Sequence, residues 1–480
     1  MEADQAEELH EDIPAPRDVW TARIALSIYS FFLILLAGIG FYILFYVVLL
    51  ISFLALVMHI DKLETFEIVN TLNLKKKMLL IFIIALLTRL VMLVQDQIIT
   101  DDILNYVLRG EMMLDGRIPY VDFYGGSKPP LHNLVLLTIS GALGAGEIQF
   151  RAMFSIIDAM IAVLILFLSE NNRGSRFLLS ASLLYALSPI SVITIGLSGH
   201  FDPVPAIAVV LSTIFLISRR HRLSSLFLGL GLALKVFGAV LLPYYLWKTK
   251  LLKERVMYAI LFTIPMGLSL LGLYILSPDG PGFYFSETSG WGGWWSFTHL
   301  FSTAIGSDAL GGLKVSWIFM GLFLLLILAM YVSIWRKKDE EERMTLLWYE
   351  VVVFISAAYL GLMILDGWAQ ASPGTDFTPS MVVFAAYVIV LSFALHRYKE
   401  SIFPRKLSGG RTERILIITS LAIILFCFGL PNYAPWYIIW FLPFLLAVRT
   451  NSIRFTLLFL LVWHIMGKGV SIFPGLPQIP

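Results

Sequence analysis

The sequence predicts an all-α integral membrane protein, a polytopic bundle of about 11 to 14 transmembrane or re-entrant helices with long loops on one face. Three observations lead there. The 480 residues are 58% hydrophobic and only 14% charged, whereas soluble domains run near half apolar and a quarter charged. The apolar residues gather into continuous runs of about 16 to 25, the length that crosses ~30 Å of hydrocarbon. Lys and Arg then cluster in alternate connections between those runs, as the positive-inside rule requires of a chain that crosses repeatedly.

Taken in order, residues 1–23 are acidic and polar and lack the basic stretch and cleavage site of a signal peptide. They are expected to form a disordered cytoplasmic tail. The run 24–58 is long enough for two short spans or one tilted span. Two spans broken near Gly38-Ile39-Gly40 would keep Arg23 and Lys75 on one side, so 24–77 reads as an N-terminal membrane hairpin. Residues 78–480 read as one membrane domain, with apolar runs at 78–95, 134–146, 152–169, 177–197, 203–218, 223–247, 256–276, 315–335, 345–365, 379–396, 415–430, 436–448 and 455–470.

Basic clusters at Lys75 to Lys77, Arg173/Arg176, Arg219 to Arg222, Lys248 to Arg255, Arg336 to Arg343, Arg397 to Arg414 and Arg449/Arg454 are assigned to the cytoplasm. The connections 198–202, 366–378 and 431–435 hold no Lys or Arg and face the other side. The run 223–247 has basic clusters at both ends, Lys235 at its middle and Pro243 beyond. That pattern predicts a re-entrant pair of half-helices at a cavity floor. The single cysteine, Cys427, excludes a disulfide framework. No zinc spacing, P-loop or dinucleotide fingerprint is present, and nothing calls for a nucleic-acid partner.

Three outward segments, 95–133, 277–314 and 366–378, are longer than turns, and long ordered loops are usually functional. The first carries Asp101-Asp102, Tyr106, Arg109, Gly116 to Tyr120, Asp122 and Lys128-Pro129-Pro130-Leu131. A carboxylate just past a membrane helix end suits a general base in a desolvated cavity, or else caps a helix. Lys128 is a point charge suited to phosphate. Gly199-His200-Phe201-Asp202-Pro203 joins an acid and a histidine in one turn, with Asp202 alternatively capping a helix that Pro203 starts. Asp158 lies mid-helix, either functional or paired with a basic residue. The aromatics of 283–299 (Trp291, Trp294, Trp295) and of 432–437 stack on sugar, line a lipid groove or form an interfacial belt.

In order along the chain, these segments resemble the GT-C superfamily of polytopic glycosyltransferases. They are most similar to the catalytic subunit of glycosylphosphatidylinositol mannosyltransferase I and its prokaryotic relatives. The resemblance rests on Asp101-Asp102, Tyr106 and Gly116-Arg117-Ile118-Pro119-Tyr120 in the first outward loop. Downstream it continues through Asp158, Ser188-Pro189, Gly199 to Asp202, Leu228 to Lys235 and Asn432 to Pro443. Lys128-Pro129-Pro130-Leu131 is also similar to a segment of protein O-mannosyltransferases and lipid A aminoarabinose transferases. The family usually separates its two acids by one residue; here they are adjacent.

The resemblance implies inverting transfer of a hexose, mannose foremost, from a polyprenyl- or dolichyl-phosphate carrier to a lipid-linked or glycolipid acceptor. Asp102 is then the catalytic base, with Asp101 beside it orienting the acceptor hydroxyl or contacting the sugar. Lys128 and Lys235 hold phosphate, while Tyr106, Arg109, Tyr120, Asp122, His200 and Asp202 line the substrate. No cofactor is required, although paired acids suit a divalent cation. An accessory subunit has precedent in the eukaryotic family. The active site would face away from the cytoplasm, in the plasma membrane of a prokaryote or the endoplasmic reticulum of a eukaryote. The rival class is a transporter or lipid flippase using Asp158 and Lys235 as a coupling pair, although no internal repeat supports it.

Overall fold

The computed structural model describes residues 43–58, 60, 71–93, 101–126, 128–170, 173–289, 313–371, 397–430 and 435–468. The tail 1–23, most of the hairpin 24–77, Trp291 to Trp295, the run 379–396 and residues 431–434 lie outside the described residues. Those described form helices and no strand; an isolated bridge joins Pro119 and Phe123.

The helices are α1 (Ile43–Met58), α2 (Leu74–Leu93), α3 (Asp101–Leu114), α4 (Pro130–Leu143), α5 (Glu147–Leu164), α6 (Arg176–Ala186), α7 (Pro203–Ile217), α8 (His221–Leu234), α9 (Leu242–Lys248), α10 (Leu252–Leu276), α11 (Gly280–Ser289), α12 (Leu313–Arg336), α13 (Glu341–Ala371), α14 (Gly410–Gly429) and α15 (Asn451–Lys468). Five described stretches are long and apolar enough to cross a membrane: Glu147–Phe167, Arg176–Leu197, Leu252–Leu276, Lys338–Gly361 and Gly410–Gly429. With the shorter apolar helices around them they make a polytopic membrane bundle.

Two apolar runs fold differently from simple spans. Within 177–197, α6 stops at Ala186, and Pro189, which has no N–H to give to a helix, follows. The chain resumes as a π-helical turn, Val192–Leu197, with wider backbone spacing. The run 436–448 is a 3₁₀ turn, Pro435–Trp440, then a short helix from Leu442 to Leu446. Pro443 sits in the first turn of that helix, where a missing N–H is harmless.

The run 223–247 breaks at Lys235, which is extended (φ −163, ψ 133) between α8 and a 3₁₀ turn, Val236–Leu241. The chain doubles back there. A side-chain carbon at Gly238 would stand 3.2 Å from the Leu228 carbonyl oxygen and 3.3 Å from the Leu232 amide, so any larger residue would press on the helix backbone at this close return. Hydroxyls tie the surrounding helices without a hydrophobic drive. Ser212 donates to the Ser224 carbonyl at 2.7 Å, Tyr258 meets Ser224 at 2.8 Å and Thr213 meets Tyr245 at 2.7 Å. At the far end of α9, Lys248 pairs with Glu341 at 2.5 Å.

The first outward loop is half helix. α3 is amphipathic, burying Ile103, Tyr106, Arg109 and Met113 and exposing Leu104 and Leu108. The rest of the loop wraps onto α10 and α11, with Tyr120 packed between Leu273 and Tyr284.

Candidate active site

Four elements converge at the end of the bundle away from the Arg219 to Arg222 connection. They are the start of α3, the turn before α7, the break after α8 and the 3₁₀ turn Pro435–Trp440. Asp102 and His200 come from the first two. Their side chains meet with Nδ1 at 3.1 Å from Oδ2, and because an ionised carboxylate only accepts, that nitrogen carries the proton.

The Lys235 ammonium lies 2.7 Å from Asp202 Oδ1. It sits over the rings of Tyr437 and Trp440, 4.5 and 4.7 Å from their centroids. Trp440 stacks between Tyr437 and Phe237 at 4.2 and 4.3 Å. Asp202 occupies the cap position of α7, yet its side chain makes no capping bond; it turns to Lys235 instead.

The electrostatics follow from this crowding. Solvent reaches 34% of the Asp102 side chain. Burial raises its pKa, but the charge of Lys128, the His200 hydrogen bond and the charge of Lys235 outweigh it. They hold the carboxyl well below the usual carboxylate range. Solvent there weakens the burial effect and screens the neighbouring charges alike; the direction is downward. Burial draws the pKa of Lys128 down; Asp102 opposes this, while Lys235 and Arg109 add to it.

The other candidate residues divide. Tyr106, one helical turn past Asp102, is buried against His132, Phe154 and Phe201 and forms the layer beneath. Arg109 donates to the Gly125 carbonyl at 3.1 Å. The Tyr120 hydroxyl donates to the Lys128 carbonyl at 2.6 Å and accepts from Asn133 at 2.9 Å. Both therefore fix the loop that carries Lys128. Asp122 is exposed and accepts the Ile118 amide at 2.6 Å, closing a turn instead of joining the cluster. Asp101 begins α3; its side chain lies outside the described residues. No group of three His, Cys, Asp or Glu able to hold a metal occurs among the described residues.

Two buried arginines hold the broken helix, Arg89 at its break from Ala186 to Ser191 and Arg151 at the turn that carries His200 and Asp202. Arg89 bonds Asp158 at 2.6 Å, the Ser191 hydroxyl at 2.7 Å and the Ala186 carbonyl at 2.7 Å, with both members of the ion pair fully buried. Tyr185 and Ser191 also donate to Asp158. Asp158 is thus spent inside the bundle, so the coupling pair of Asp158 with Lys235 expected of a transporter is not formed. Arg151 reaches the Gly196 carbonyl at 2.9 Å and the Met92 carbonyl at 2.7 Å, satisfying oxygens at the π-helical turn and at the end of α2. Gly199 follows with φ +66, and a side-chain carbon there would stand 2.8 Å from both Arg151 Cγ and Ile103 Cδ1.

Sequence reasoning missed His132, Trp440, Arg89 and Arg151. The arginines had a signal, since an arginine in or beside an apolar run requires a partner. His132 is fully buried beneath the Phe201 ring, 3.9 Å between centroids. Neither ring nitrogen has a hydrogen-bond partner among the described residues, at a cost of ~1–3 kcal/mol for a buried donor or acceptor left unmade.

Residues 130–365, just under half of the chain, match the model of glycosyltransferase family 87. The matched stretch holds His132, His200, Asp202 and Lys235; Asp102 and Lys128 precede it. No curated protein matches the chain. Among solved structures, the chain is similar to ArnT from Cupriavidus metallidurans bound to undecaprenyl phosphate. That similarity has 14% identity, covers 82% of this chain and 79% of the other, and has a TM-score of 0.38.

Proposed function

We propose that the protein is a membrane glycosyltransferase that moves a hexose, mannose foremost, from a polyprenyl-phosphate carrier to a lipid-linked acceptor hydroxyl, with inversion. The observation that carries this reading is one partly exposed carboxylate, Asp102, close enough to the ammonium groups of Lys128 and Lys235 for both charges to act on it. The match of residues 130–365 to glycosyltransferase family 87 supports the reaction class.

In this scheme the carrier phosphate docks between Lys128 and Lys235. The acceptor oxygen attacks the anomeric carbon of the sugar from the face opposite the phosphate. Its proton passes to Asp102 and then to solvent. The bond from the anomeric carbon to the phosphate oxygen breaks, and its electron pair leaves on that oxygen, beside the two ammonium groups. The leaving phosphate is ionised at neutral pH and needs no acid. His200 orients the Asp102 carboxylate, while Asp202, Tyr437 and Trp440 hold Lys235.

The basicity of Asp102 fits a donor-first order. With the site empty, the cations depress it. Once the phosphate takes up the fields of Lys128 and Lys235, less positive charge bears on the carboxylate and its proton affinity rises. By the positive-inside rule, the site end of the bundle faces away from the cytoplasm.

The test is transfer by detergent-purified full-length protein from radiolabelled polyprenyl-phosphate mannose, glucose and arabinose, with membrane lipid extract as acceptor. Label should move to a new lipid product from one carrier, mannose first. No transfer from any of them, with donors recovered intact, refutes the reading.

A further inference from the structure

We propose that His132 forms a hydrogen bond to a hydroxyl of the transferred sugar. This rests on the sugar-transfer reading above and adds a contact that neither the sequence motifs nor the charge cluster indicates.

The ring is wholly buried, and both its nitrogens are unpartnered among the described residues. Native structures seldom keep such a group without a use for it. Phenylalanine or leucine would fill the same space beside Tyr106 and Phe201 without stranding a donor and an acceptor. His132 also lies close to the proposed reacting centre. It is four residues past Lys128, in the first turn of α4. It touches Tyr106, one turn along α3 from Asp102, and Phe201, between His200 and Asp202. Its charged neighbours are Lys128, Arg109, Lys235 and Asp102, the groups around the proposed reacting centre.

The chemistry fits a hydroxyl. A neutral imidazole offers one donor and one acceptor, and a hydroxyl can answer either. Tyr106 and Phe201 touch the imidazole and Phe154 backs them; aromatic faces of this kind are those on which the C–H faces of a pyranose pack once a ring turns aside. The Phe201 ring covers the imidazole, so sugar binding requires that ring to turn aside. The carrier phosphate is the other oxygen ligand of this region, and a comparison of sugar-bearing with sugar-free carrier separates the two.

The experiment measures binding of polyprenyl-phosphate mannose and of sugar-free polyprenyl phosphate to wild type and His132→Phe. Wild type should prefer the sugar-bearing carrier. His132→Phe should bind the sugar-free carrier as wild type does, lose about 10-fold affinity for the sugar-bearing one, and unfold at no lower temperature. An unchanged ratio of the two affinities overturns the proposal. Nitrogen NMR of the imidazole in wild type gives a readout independent of the variant's folding. Its shifts should move with the sugar-bearing carrier alone; movement with both carriers alike, or with neither, overturns the proposal. Failure of wild type to bind either carrier would refute the sugar-transfer reading itself, before any variant is compared.

Discussion

Asp202 accepts two hydrogen bonds on one oxygen, from the Lys235 ammonium at 2.7 Å and from the Trp440 indole at 2.6 Å. The three residues come from a turn, a helix break and a 3₁₀ turn that lie far apart in sequence. The pair therefore both ties these elements together and holds the Lys235 ammonium beside Asp102.

Breaking that pair should separate the two roles. Lys235→Met leaves a buried carboxylate with the indole alone and should lower stability by ~3–5 kcal/mol. Lys235→Met with Asp202→Asn removes the stranded charge, so thermal unfolding in detergent should return towards wild type. Transfer activity should stay lost in both, because the phosphate contact is gone. Recovery of activity in the double variant would remove Lys235 from the proposed site.

Lys128→Gln should shift the acid limb of activity. Activity requires ionised Asp102, and Lys128 is among the charges that depress its pKa. Removing that charge raises the pKa, so a larger share of Asp102 is protonated at a given acidic pH. The acid limb of acceptor kcat/KM should move to higher pH, whereas wild type keeps activity to lower pH. A limb at the wild-type position would show that Lys128 does not set the basicity of Asp102.

Gly199→Ala should damage the site from within the fold. It forces a side chain onto a left-handed residue and onto Arg151 and Ile103; overpacking alone costs ~1–3 kcal/mol. The turn must shift, carrying His200 off Asp102, so kcat should fall more than stability does. Arg151→Lys should fall in the same direction, since lysine lacks the Nε–H that also donates to Gly196 and the rigid plane that sets Nη2 between the Gly196 and Met92 carbonyls. Wild-type kcat in both would show that the turn does not depend on this support.

Asp158→Asn should be a stability variant. It leaves Arg89 buried without its counter-charge, a change worth ~3–5 kcal/mol. Activity per folded molecule should be retained. Loss of activity at unchanged thermal stability would return Asp158 to the functional candidates.

The membrane class and the broken helix at Lys235 were legible because each leaves a one-dimensional trace. Length and continuity of apolar runs report a span, and a lysine mid-run flanked by basic clusters reports a return. The residues Asp102, His200, Asp202 and Lys235 were legible as acids and a histidine in outward loops and a lysine at a helix break, all assigned to one end of the bundle. His132 gave no such trace, since a histidine beside an asparagine at a helix start reads as ordinary. Trp440 hid among other aromatics, and only the fold brings its indole to Asp202. The lining roles expected of Tyr120 and Asp122 did not follow from residue type, because tyrosine and aspartate serve turns and pockets equally well. Local hydrogen bonds within ten residues decided both.

The most direct test is single-turnover transfer by purified wild type and Asp102→Asn from a saturating polyprenyl-phosphate sugar, with donor binding measured in parallel. Asparagine keeps the shape and an acceptor for His200 but cannot take the proton. The account predicts intact donor binding with a rate lower by ~10²–10⁴-fold. A rate near wild type would contradict it and place the base elsewhere.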